Sequence, residues 1–99
     1  YTAVVSWDEA HLHLGERVAV EGRIVVTYNS GRACFLNFHE DWKGKFHGVI
    51  FASSFAEYPE PPEDWLLDKR VRLIGKVEEH RGAPQIVVEE LRQIVLLDG

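Results

Sequence analysis

Cysteine occurs once, at Cys34, and methionine not at all. A lone thiol excludes an intrachain disulfide and any cysteine-built metal site. No apolar run approaches the roughly 18–20 residues of a membrane-spanning helix, so no membrane partner is expected. No signal-peptide pattern occurs within the 99 residues. Because the chain opens at Tyr1 without a methionine, it is expected to be a trimmed domain or a mature product. Catalytic signatures are also missing. There is no serine or cysteine nucleophile arrangement and no phosphate-cradling glycine loop. His39-Glu40-Asp41 with His47 lacks zinc spacing, and adjacent loop acids do not converge as a hydrolase site requires. His11 and His13, two apart on a short helix, cannot share a ligand. No metal, no cofactor and no enzymatic activity are therefore expected.

Basic residues are the minority, 11 against 16 acids, for a net charge of −5. Taken whole, that disfavours a polyanionic partner. Their placement is uneven, however. Residues 22–56 hold Arg23, Arg32, Lys43 and Lys45 against Glu40 and Asp41, and residues 69–77 hold Lys69, Arg70, Arg72 and Lys76 with no acid. The acids gather at the chain ends and in Glu57–Asp68. Such segregation fits a local polyanion site on an acidic protein, although solvated strand edges also favour Lys and Arg.

Ninety-nine residues suffice for one domain, 1–99, with a single modest core. Ser6 with Glu9 three residues on forms a capping-box pattern, and Gly15 is a stop, which predicts a short helix over 7–14 packing Trp7, Ala10 and Leu14 inward. Alternating apolar residues predict strands over 16–28, 32–39, 46–52, 69–79 and 84–90, with an extended tail at 93–97. Gly22 inside the first strand suggests a bulge. The pattern of 16–24 recurs at 69–77, glycine included, as two strands of one sheet would require. Ser53 or Ser54 is expected to cap a short helix near 55–58, and Pro59, Pro61 and Pro62 end it. The acidic proline segment 57–64 reads as a solvated connection or as a docking surface for a neighbouring domain. Five strands with a helical insertion between the third and fourth, in a mainly all-β chain, is the layout of the OB-fold, a Greek-key barrel that binds oligonucleotides or oligosaccharides.

The segment from Tyr28 to His39 concentrates the functional signals. Asn29-Ser30-Gly31 is turn chemistry between two apolar runs, which makes a hairpin. In the second run Cys34, Leu36 and Phe38 share one face, and Ala33, Phe35 and Asn37 share the other. The first face fills a core. The second shows an aromatic ring beside an amide, suited to stacking and hydrogen bonding with a base, and stacking is worth roughly 1–3 kcal/mol per base. Tyr28 is a candidate second ring, and Arg23, Arg32, Arg72 and Lys76 are candidate phosphate contacts.

Gly22-Arg23-Ile24 followed by Gly31-Arg32-Ala33-Cys34-Phe35-Leu36-Asn37-Phe38-His39-Glu40 resembles the G-x-V … G-K-x-x-F-(I/L)-D-L-R-D run of anticodon-binding-type OB domains. The whole chain from Ser6 to Leu97 is similar to bacterial OB-type nucleic-acid-binding domains, including those attached to secreted or surface nucleases. The resemblance implies that Phe35 stacks on a base. Asn37 stands where the family has Asp, and His39-Glu40 where it has Arg-Asp, so no particular base preference carries over. The expected function is binding of single-stranded DNA or RNA through Phe35, Asn37, Tyr28, Arg23, Arg32, Arg72 and Lys76, with weak sequence preference. The alternatives are a protein-interaction module of a larger assembly or nuclease, and an oligosaccharide-binding barrel.

Overall fold

The computed structural model describes residues 3–97; positions 1, 2, 98 and 99 of the expected domain lie outside the described residues. In chain order it contains β1 (Val4–Ser6), a 3-10 helix (Trp7–His13), β2 (Arg17–Arg23), β3 (Val26–Asn29), β4 (Ala33–Asn37) and β5 (His47–Phe51). A 3-10 helix (Ala52–Glu57) and the single turn α1 (Pro62–Trp65) follow. Then come β6 (Arg70–Lys76), β7 (Glu78–His80), β8 (Ala83–Val87), a 3-10 turn (Leu91–Gln93) and β9 (Ile94–Leu96). The fold is mainly β, with two sheets and few, short helices. Strands β1-β2-β6-β9 make one sheet and β3-β4-β5-β8-β7 the other.

Two runs carry the chain from one sheet into the other. Ile24 still bonds to the chain before β6, donating to Lys69 O at 2.9 Å and accepting from Asp68 N at 2.7 Å, whereas the Val25 amide donates to Asn37 O at 2.9 Å. The expected strand 16–28 is therefore two strands that change partner between adjacent residues. Val77 likewise still pairs with Gly15 and Glu16 before Glu78 joins Gln85. The five-stranded single barrel expected from the sequence is accordingly divided into two ladders.

The repeated pattern of 16–24 and 69–77 pairs with itself. β2 and β6 run antiparallel with Gly22 opposite Val71 and Val18 opposite Gly75. The ladder is regular through Gly22, so this glycine marks no bulge. It marks a close approach: a Cβ there would sit 2.7 Å from both Trp7 Cδ1 and Phe38 Cδ2. Inward residues Val18, Val20, Val71 and Leu73 join Cys34, Leu36, Ile50, Ile86 and Val88 in one shared core.

The local helices differ from expectation. Residues 7–13 form a 3-10 helix without a side-chain cap from Ser6, and although Ala10 is buried, Leu14 is 47% exposed. The predicted α-helix would need Leu14 on the inner face, but Gly15, at φ +84°, turns the chain toward β2 first. Neither serine caps the next 3-10 helix. Instead the Ser54 hydroxyl donates to Glu89 O at 3.2 Å. The extended tail becomes β9, pairing with β6, and β1 adds a parallel edge strand to β2.

Candidate nucleic-acid interface

Because Cys34 and Leu36 are fully buried in the core, Ala33, Phe35 and Asn37 lie on the outer face of the five-stranded sheet. Register extends that face across its neighbours. Phe35 is flanked by Tyr28 on β3 and Val49 on β5, and Val49 by Val87 on β8; in the next row stand Val26, Asn37, His47 and Gln85. Phe51 lies beside Ala33 at the hairpin end.

The rings form a ladder. Tyr28 and Phe35 stack with centroids 6.5 Å apart and planes inclined by 21°, and His47 meets Phe35 edge-on at 5.9 Å. Tyr28 is 61% exposed while Phe35 is half-buried between its two neighbours. The His47 Nε2 and Gln85 Oε1 lie 2.9 Å apart in a hydrogen bond. Burial holds the His47 imidazole below its ordinary 6.5, against the opposing hydrogen bonds to Gln85 and the Lys45 backbone. The imidazole is thus neutral at pH 7, and the charge in its row is that of Glu78, exposed on β7 opposite Gln85.

The hairpin tip is organised by its own side chains. Gly31, at φ +90°, donates its amide to Asn29 Oδ1 at 2.8 Å, and the Ser30 amide donates to Ala33 O at 2.9 Å. Arg32 is exposed in this tip, with no ion pair among the described residues. At the far hairpin Arg81 and Gly82 both take positive φ, the geometry of a tight two-residue turn.

The remaining expected residues sit elsewhere. Arg23, Arg72 and Lys76 lie on the outer face of the other sheet, since Val18, Val20, Val71 and Leu73 face inward on the same strands. Arg72 Nε donates to Glu21 Oε1 at 2.9 Å and Arg70 Nη2 to Glu21 Oε2 at 3.4 Å. The Arg23 guanidinium donates to Asp68 O. Arg23, Arg70 and Arg72 answer local acceptors, and neither they nor Lys76 line the aromatic ladder. Asn37 is on the expected face but only 6% exposed, flanked in its row by Val26 and His47, so its amide is not openly displayed.

A family model described as an OB-fold nucleic acid binding domain, of the tRNA anticodon type, matches residues 18–94. The chain belongs to that family. This OB domain is also similar in fold to a protein described as an aspartyl-tRNA synthetase from Leishmania major Friedlin. The TM-score is 0.57 at 10% identity, covering 94% of this chain and 20% of that one. The OB domain thus spans about a fifth of that structure's length. No curated protein matches the chain.

Sequence reasoning did not place His47, Phe51 and Gln85 on the outer face of the five-stranded sheet of this OB domain. Val49-Ile50-Phe51 is apolar throughout and carries no period that tells inside from outside. The signal was available only through pairing: once Phe35 faces outward, the register opposite Val49 sends His47 and Phe51 outward too.

Proposed function

We propose that this OB domain binds single-stranded nucleic acid across the outer face of the five-stranded sheet, without catalysing a reaction. The stacked Tyr28–Phe35 pair, open to solvent at Tyr28, is the observation that carries this reading. Unpaired bases expose apolar faces that stack on such rings, whereas bases inside a duplex do not. Arg32 at the hairpin tip supplies a cation for a phosphate beside the stacked bases. Arg23, Arg72 and Lys76 come into reach only for a strand that continues past the β2–β3 bend. Because every base offers a π-face, sequence preference is weak.

The test is fluorescence anisotropy with labelled single-stranded DNA and RNA at low and moderate salt. Tyr28→Ala, at an exposed position, should weaken binding by roughly 5- to 150-fold, the equivalent of about 1–3 kcal/mol of stacking, with an unchanged circular dichroism spectrum. Phe35→Ala should weaken it at least as much. Absence of binding by the wild-type chain at low salt would overturn the proposal and turn attention to a protein partner on the same face.

A further inference from the structure

The segment between β5 and β6 plays no part in the aromatic ladder, yet it builds a groove of about 420 Å³ walled by Asn29, Phe55, Tyr58, Pro59 and Pro61. Two features make it preformed. The Thr27 hydroxyl donates to Glu63 O at 2.9 Å and Asn29 Nδ2 to Glu63 Oε1 at 3.0 Å, which ties α1 to β3. The Tyr58 ring, buried, packs edge-on against Trp65 at 5.8 Å, and the prolines fix the backbone between them. A rigid groove orders little on binding.

Its charge has one sign. Residues 52–68 contain Glu57, Glu60, Glu63, Asp64 and Asp68 and no Lys or Arg. Glu57, Glu60 and Asp64 have no ion pair among the described residues. Burial, with Glu57 adding to it, pushes the Tyr58 hydroxyl up to about 12. A phosphate backbone is repelled here, so the groove is no continuation of the nucleic-acid site.

We infer that this groove is a docking site for an extended, basic segment of a partner protein. One apolar side chain of that segment would enter among Phe55, Pro59 and Pro61, while flanking Lys or Arg residues meet Glu60 in the lining and Glu57 and Asp64, the chain neighbours of the lining residues Ala56 and Glu63. The sign of the rim selects the partner, and the apolar wall supplies burial. The groove and the aromatic ladder use different residues, so both sites can be filled together.

The experiment titrates the chain with a fluorescein-labelled Lys-Lys-Leu-Lys-Lys peptide, followed by anisotropy and by amide chemical shifts. Shifts should cluster at Phe55, Ala56 and Glu60. Glu57→Lys combined with Glu60→Lys should weaken binding about tenfold or more, while the same charge change made by Glu78→Lys with Glu79→Lys should alter it less than about twofold. Replacing the peptide leucine with glycine should weaken it as well. Equal losses from the two double variants, shifts mapping elsewhere, or no binding up to millimolar peptide would overturn the inference. So would concentration-dependent dimerisation that fills the groove with a second copy. Tyr28→Ala should leave peptide binding unchanged, which separates failure here from failure of the nucleic-acid reading.

Discussion

Gly22 shows how much one missing side chain can decide. Its position between the rings of Trp7 and Phe38 lets the 3-10 helix lie against β2 while β4 ends over the same spot. Neither ring can step aside as a flexible chain would. Gly22→Ala should therefore lower stability by about 1–3 kcal/mol in urea unfolding, the range of overpacked cores. A neutral effect would mean that the helix is free to move. His47 makes a second prediction at this scale. Its folded pKa lies below the ordinary 6.5, so the unfolded state binds the proton more readily. Stability is fully present above pH 6.5 and falls as pH drops through the unfolded value toward the folded one. His47→Gln should flatten this part of the pH profile, measured as the urea midpoint between pH 7 and pH 5. An unchanged slope would assign the acid sensitivity to another group. Cys34, pushed up to about 12 mainly by burial and further by Glu63 and Asp64, stays a protonated core thiol.

At the scale of elements, most strands and the first hairpin were legible because period-two alternation and the Asn-Ser-Gly turn act locally. Where the first strand changes partners was not legible, since Ile24 and Val25 are both plain β-formers and only the passage from one sheet to the other separates them. β9 was equally hidden. Gln93-Ile94-Val95-Leu96-Leu97 reads as an extended piece with no stated partner, and its pairing with β6 depends on a long-range contact. Gln93 itself does what no pattern announces. Its Nε2 donates to Ile74 O at 2.9 Å and Val87 O at 3.1 Å, and its Oε1 accepts the amides of Glu89 and Glu90 at 2.8 and 2.9 Å. One amide thus bridges the gap where β6 and the end of β8 diverge. Gln93→Ala leaves these backbone groups without partners and should cost about 1–3 kcal/mol. Hydrogen exchange should accelerate at the Glu89 and Glu90 amides before it does in β4. Uniform acceleration would show a global effect instead of a local seam.

The whole molecule distributes charge in a way that composition could only suggest. Counting by segment brought Arg23, Arg32, Arg72 and Lys76 together, because a segment count does not know which face a strand presents. Folding assigns Arg72 and Arg70 to Glu21, across the pair of strands that join sheet one. Arg32 alone among the four lies on the hairpin whose strands carry the stacked rings. On a chain of net charge −5, an oligonucleotide on the five-stranded sheet then meets one of these four cations against a repulsive background. For single strands each neutralised phosphate adds a slope of about −0.7 to log affinity against log salt. Wild-type binding should therefore show a shallow slope. Arg32→Ala should bring that slope about 0.7 closer to zero, while Arg72→Ala should leave it unchanged, because the Arg72 charge is already answered by Glu21. The reverse pattern, a slope that responds to Arg72 and ignores Arg32, would move the phosphate track onto the four-stranded sheet and leave Tyr28 and Phe35 to another partner.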